Sequence, residues 1–100
     1  MSRKADFERL LKQGKRLRIA GFTFYYERRS GGGPRLGMLV TRKHSAAANG
    51  RNRIKRYIRE AFRLEQHTLG ALDLLIRPPE KPATPAMLRD LRAILASLDA

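Results

Sequence analysis

Residues 51–63, Arg-Asn-Arg-Ile-Lys-Arg-Tyr-Ile-Arg-Glu-Ala-Phe-Arg, decide how this chain is organised. On a helix at about 100° per residue, Ile54, Tyr57, Ile58, Ala61 and Phe62, with Leu64 just beyond, share one face. Asn52, Arg53, Lys55, Arg56, Arg59 and Arg63 share the opposite face. The first side suits a protein core. The second offers guanidinium and ammonium groups in a row, with Glu60 the single acidic residue of the stretch. Polyanion binding is the natural reading.

Working outward, Leu36–Thr41 reads as a strand that points Leu36, Met38 and Val40 one way and Gly37 and Leu39 the other. Asn49 is the expected N-cap of the helix that follows. Leu72–Ile76 is a short apolar run suited to a buried strand, ended by Arg77-Pro78-Pro79 because proline removes a ladder donor. Strand, helix and strand in succession predict a parallel βαβ crossover. Upstream lies a β-rich stretch, Leu17–Arg28, where Phe22, Phe24 and Tyr26 alternate with Thr23, Tyr25 and Glu27. Gly31-Gly32-Gly33-Pro34 is a loop. The first residues, up to Gly14, read as an amphipathic helix carrying Phe7, Leu10 and Leu11. At the other end Thr84-Pro85 is a cap followed by proline at the first helical position. Met87, Leu88, Leu91, Ile94, Leu95 and Leu98 then trace a helical stripe. The order helix, strands, helix, strand, helix predicts a two-layer α/β sandwich, residues 1–100 forming one domain. One sheet face is expected to be covered by helices and the other open.

Charge agrees with this assignment. Twenty-two Lys and Arg against 9 Asp and Glu give a formal net charge of +13, which opposes compaction and calls for a negatively charged partner. Nucleic acid fits, since each neutralised phosphate releases condensed counterions. The excess of Arg over Lys favours bidentate phosphate contacts. Without cysteine, disulfides and thiolate metal sites are excluded. No apolar run approaches the roughly 18 residues of a membrane span, and the N-terminus lacks the apolar core of a signal peptide. A cytoplasmic protein is expected.

No catalytic constellation stands out. His44 and His67 have no cysteine or carboxylate cluster at ligand spacing; His67 is expected at the helix end or in solvent, and His44 is at most a phosphate contact. The carboxylates, from Asp6 through Asp73 to Asp99, are scattered and form no two-metal signature. Ser45 has no evident base, and Gly31–Gly33 lacks the Lys-Ser/Thr of a phosphate-binding loop. Glu60 is expected to pair within the helix, with Arg56 or Arg63.

The string Arg51-Asn52-Arg53-Ile54-Lys55-Arg56, followed by Arg59-Glu60-Ala61-Phe62-Arg63-Leu64, resembles the protein component of bacterial ribonuclease P. Leu36-Gly37-Met38-Leu39-Val40 with Arg42-Lys43, and Leu72-Asp73-Leu74-Leu75-Ile76 downstream, extend the resemblance, as do Asp6-Phe7 and Gly14. The likeness implies a left-handed crossover, against the usual rule. It also implies a basic helix that contacts a catalytic RNA subunit, and a sheet cleft that receives the single-stranded 5′ leader of precursor tRNA. On that basis Arg42, Lys43, Arg51, Asn52, Arg53, Lys55, Arg56, Arg59 and Arg63 are the candidate RNA contacts. Phe7 and Tyr25 are candidate leader contacts, with Leu11 where the family commonly has a second aromatic. No residue is expected to be catalytic or to bind metal. Mg²⁺ held mainly by the RNA would supply the chemistry, and neither a membrane nor an obligate protein partner is implied.

A basic ribosomal or rRNA-associated module would share the charge and architecture without a leader cleft. Exposure of Tyr25 beside Phe7 favours the processing role, and burial of both favours the simpler binder. Major-groove DNA recognition lacks a helix-turn-helix partner.

Overall fold

The structure, a computed structural model, describes residues 4–98; Asp99 lies outside the described residues. The chain runs α1 (Lys4–Gln13), β1 (Lys15–Ile19), β2 (Phe22–Arg28), β3 (Arg35–Met38), α2 (Ala48–Leu69), β4 (Leu72–Arg77) and α3 (Pro85–Ala96). The four strands form one sheet in the order β1-β2-β4-β3. β1 and β2, and β2 and β4, pair antiparallel, while β3 and β4 pair parallel across α2. The expected βαβ crossover and two-layer α/β architecture are both present.

The β-rich stretch is a hairpin of β1 and β2. Ala20 and Gly21 both have positive φ, 53° and 85°, the two-residue geometry whose twist suits flanking strands. β3 is shorter than expected and ends at Met38, although Leu39 still donates to the Ile76 carbonyl at 2.9 Å. Glycine is required just past the end of α1: a Cβ at Gly14 would sit 2.6 Å from the Leu10 carbonyl oxygen. The expected cap at Asn49 is corrected. α2 begins two residues earlier, with Ala47 as an N-cap that makes no side-chain bond. Asn49 lies inside the first turn, where its Oδ1 accepts the Gly50 N–H at 3.1 Å. Thr84 and Pro85 do begin α3.

Strand parity separates the two sheet faces. Phe22, Phe24, Leu72, Leu74 and Ile76 join Ile54, Ile58 and Ala61 of α2 and Met87, Leu91, Ile94 and Leu95 of α3 in one core. Phe22 and Phe24 stack at 6.0 Å between ring centroids. Arg92 reaches Glu65 at 3.6 Å and joins the two helices at the rim.

The second face is not left wholly open. Leu10 and Leu75 are fully buried but stand outside that core, and α1 packs beside β2. The helix covers one end of this face, where Glu27 and Asp73 point. Sequence periodicity carried no information on which face the first helix takes.

Candidate nucleic-acid interface

α2 presents its charges as a solvent-facing array. Ile54, Ile58 and Ala61 are buried in the core, whereas Asn52, Arg53, Arg56, Arg59 and Arg63 are exposed and Lys55 is half-buried. Among the described residues no carboxylate pairs with Arg53, Lys55, Arg56 or Arg59. The first turn carries no acidic residue, so the positive end of the helix dipole remains uncompensated there.

Two candidates are engaged within the protein. Arg51 donates to the carbonyls of Ser45 and Ala46 at 3.1 and 2.9 Å, fastening the preceding loop to the helix. Arg63 donates to both oxygens of Glu60, at 3.2 and 2.5 Å. That hydrogen bond holds the Glu60 carboxyl below its usual range and raises the Arg63 guanidinium.

Arg42 and Lys43 are exposed on the turn that leaves β3. With Leu39, Thr41, His44 and Arg77 they line a recess of about 510 Å³. His44 is buried, with 5% of its surface exposed, so a direct phosphate contact needs it to move. Its Nδ1 accepts the Thr41 N–H at 2.8 Å, which puts the ring proton on Nε2. Nε2 is buried and without a partner among the described residues.

Across the second sheet face, the registers align side chains in rows. Arg18 pairs with Thr23 and Thr23 with Arg77. Arg16 pairs with Tyr25 and Tyr25 with Leu75, beside Gly37. Arg16, Arg18, Thr23, Tyr25 and Arg77 line a recess of about 420 Å³. Arg77 borders both recesses, so they adjoin around it. Arg77 also approaches Glu80 at 3.7 Å in a solvent-exposed pair, which is weak.

Tyr25 is half-buried in that wall. Phe7 is half-buried on α1, and Leu11 is 44% exposed. Neither the full exposure nor the full burial weighed from sequence is met. Arg16, Arg18 and Arg77 were not among the sequence candidates. Their signal was the alternation Arg16-Leu17-Arg18-Ile19, which sets two guanidiniums on one face.

The third row is of a different kind. Glu27 pairs with Asp73, and Asp73 with Arg35. Asp73 is completely buried. Arg35 forks onto it with Nε at 2.7 Å and Nη2 at 2.8 Å, Arg9 donates at 2.8 Å, and Arg29 Nε lies 2.9 Å away. Arg9 also reaches Asp6 at 3.2 Å and Glu27 at 3.4 Å. The hydrogen bond from Arg35, then the charges of Arg35, Arg29 and Arg9, hold the Asp73 carboxyl below its ordinary range against the opposing effect of burial. The sequence signal for this cluster was a lone carboxylate inside an apolar strand, which requires partners.

Residues 1–99 match the family model described as Ribonuclease P. A 71-residue segment, 71% of the chain, is 45% identical to the Ribonuclease P protein component of Nitrosococcus oceani and spans 60% of that protein. The matched segment is thus shorter than two thirds of that relative. The fold resembles the RNase P protein from Thermotoga maritima in complex with 1-(4-fluorophenyl)-2-thiourea, with a TM-score of 0.80 over 99% of both chains at 23% identity. It also resembles the RNase P protein of Staphylococcus aureus, with a TM-score of 0.72 and 28% identity over 93% of this chain and 84% of that one. The chain belongs to the Ribonuclease P protein family.

Proposed function

We propose that this chain is the RNA-binding protein subunit of a ribonuclease P-type endoribonuclease. It assists a catalytic RNA in removing the 5′ leader of precursor tRNA. One observation carries the reading. The protein has two cationic surfaces on opposite sides of one sheet, joined by the turn that bears Arg42 and Lys43. A simple rRNA-binding module needs only the α2 surface. A subunit that holds a folded RNA and an unpaired strand together needs both.

On the α2 side, Arg53, Arg56 and Arg59 have guanidiniums available to fork onto phosphate oxygens, with Lys55 as a point charge and Asn52 as a hydrogen-bond donor and acceptor. On the sheet side, the Tyr25 ring supplies a stacking surface worth about 1–3 kcal/mol per base with little sequence preference. Arg16, Arg18 and Arg77 surround it and can meet the phosphates of the same strand. Phe7 and Leu11 extend the apolar surface along α1. Leu11 packs against a base without the ring overlap an aromatic would give.

Hydrolysis of the phosphodiester is assigned to the RNA. Among the described residues no group of three or more His, Asp or Glu is arranged to hold a metal ion. In this reading Mg²⁺ is bound by the RNA. The chain contributes positioning, and its positive field offsets the self-repulsion of the folded RNA. Among the described residues no helix is long and apolar enough to cross a membrane, and cytoplasmic action with the catalytic RNA and precursor tRNA as partners belongs to the same proposal.

The test is reconstitution with a bacterial-type catalytic RNA at low Mg²⁺, scoring precursor-tRNA cleavage with and without the chain. Stimulation is expected. Cleavage by the purified protein alone, or no effect on the RNA, would overturn the proposal. Tyr25→Ala should weaken leader-bearing substrate more than mature tRNA.

A further inference from the structure

Helix α1 is docked largely by charge. Leu10 is its one fully buried side chain among the described residues, and a helix of 10 residues is marginal in isolation. Its second attachment is Arg9, which reaches Asp73 of β4, with Glu27 of β2 and Asp6 of its own first turn around it. The same Asp73 carboxylate holds Arg35 of β3 and Arg29 of the β2–β3 loop. Arg29 in turn donates to the carbonyls of Gly31 and Gly33. One buried carboxylate therefore ties together a helix, two strands and a loop.

Phe7 and Leu11 stand four residues apart on α1, on one stripe of the helix. Leu11 is exposed and Phe7 half-buried, so this stripe is not used up by folding. Its orientation against the Tyr25 wall depends on how α1 is seated.

We infer that Asp73 is a positioning residue for single-stranded RNA: through Arg9 it seats α1 so that Phe7 and Leu11 face the strand held over Tyr25. Asp73 itself has no exposed surface and touches no RNA; it acts through the guanidiniums it orients. The inference deepens the leader-binding reading of the sheet face and rests on it.

The test uses the full chain with Arg9→Ala, Arg9→Lys and Asp73→Asn, and two readouts. The first is amide hydrogen exchange of α1 in the free protein. The second is the affinity ratio for leader-bearing over leaderless tRNA in the reconstituted complex, beside the affinity for the catalytic RNA. Arg9→Ala should speed exchange in α1 and cut the leader preference about fivefold or more, the equivalent of one lost base stack. Affinity for the catalytic RNA through α2 should stay unchanged. Arg9→Lys should restore part of both losses, and Asp73→Asn should exceed Arg9→Ala in both. Arg9→Ala keeps Asp73 paired with Arg29 and Arg35, so it reports even where Asp73→Asn does not fold.

A folded Arg9→Ala protein with wild-type exchange in α1 and wild-type leader preference would overturn the inference. So would equal loss on both tRNA forms, the mark of a missing charge rather than a displaced wall. Wild-type protein with no leader preference would instead sink the functional reading. In that case faster exchange in Arg9→Ala still upholds the docking by Asp73, and unchanged exchange removes it.

Discussion

Two groups of basic side chains in this molecule have opposite fates. Arg53, Lys55, Arg56 and Arg59 on α2 face away from the core and meet no carboxylate among the described residues. Arg9, Arg29 and Arg35 converge on one buried aspartate, with Asp6 and Glu27 beside them. Three cations against three anions make that second group neutral. The α2 group carries its charge uncompensated. Arginine serves as internal cross-link in one place and as a solvent-facing cationic array in the other, and the difference is made by the acidic residues the fold brings near. A net charge of +13 therefore does not by itself say which cations face solvent, because some are compensated inside the fold.

The largest effect expected from disturbing this contrast is in the neutral group. Asp73→Asn leaves three guanidiniums around an uncharged amide, and breaking a buried ion pair costs on the order of 3–5 kcal/mol. Because Arg35 is partly exposed and can recruit water, the loss should fall near the lower end, about 3 kcal/mol. Chemical denaturation of the two proteins measures it.

Acid supplies the same disturbance reversibly. The Asp73 carboxyl is held below its ordinary range in the folded state. Its contribution is therefore complete above the unfolded value of about 3.9, and is lost as pH falls through the lower folded value. The melting temperatures of wild type and Asp73→Asn should be separated by a constant gap at neutral pH. That gap should narrow only below about pH 4. The two proteins differ only at position 73, so the difference isolates Asp73. A gap that closes already near pH 6 would contradict the assignment.

Replacing Arg53 and Arg56 together by Ala should do the reverse of Asp73→Asn. Stability should change by no more than about 0.5 kcal/mol, as for exposed positions. RNA affinity should fall, and its log–log salt slope should become shallower by roughly 2 units. The intact protein, neutralising about six phosphates, should show a slope of roughly −4 to −5. Binding titrations across a range of salt test both figures, and a nearly flat response would remove α2 as the binding surface.

The smallest effect concerns Arg63, which stands between the two groups. It lies on the α2 surface but is held by Glu60. Glu60→Gln should release it and raise RNA affinity a few-fold at most, with the salt slope slightly steeper. Unchanged affinity would mean that Arg63 lies outside the RNA contact area.

How much of this was legible beforehand follows from the range over which each feature is written. The faces of α2, the buried strand at 72–76, the Thr84–Pro85 start of α3 and the βαβ crossover depend on neighbours within a few residues. Periodicity and turn chemistry record those directly. The Asp73 cluster joins residues 38 and 64 positions apart. Arg18 and Arg77 share a row only once two strand registers are known. Asp73 was visible as a charge out of place in an apolar strand, yet nothing local named its partners. The seat of α1 was equally hidden, because its stripe of Phe7, Leu10 and Leu11 fits either sheet face. What settles it is Arg9 meeting carboxylates of Tyr25's parity.

The strand order leaves β1 and β3 as the two borders of the sheet. Unpaired borders are templates on which a second chain can add a strand and begin to aggregate. Here one border is Lys15-Arg16-Leu17-Arg18-Ile19 and the other is four residues long, opening with Arg35 directly after a proline. Two copies approaching edge to edge would bring like charges together along a short ladder. The basic content of these borders thereby also disfavours edge-to-edge strand pairing between two copies.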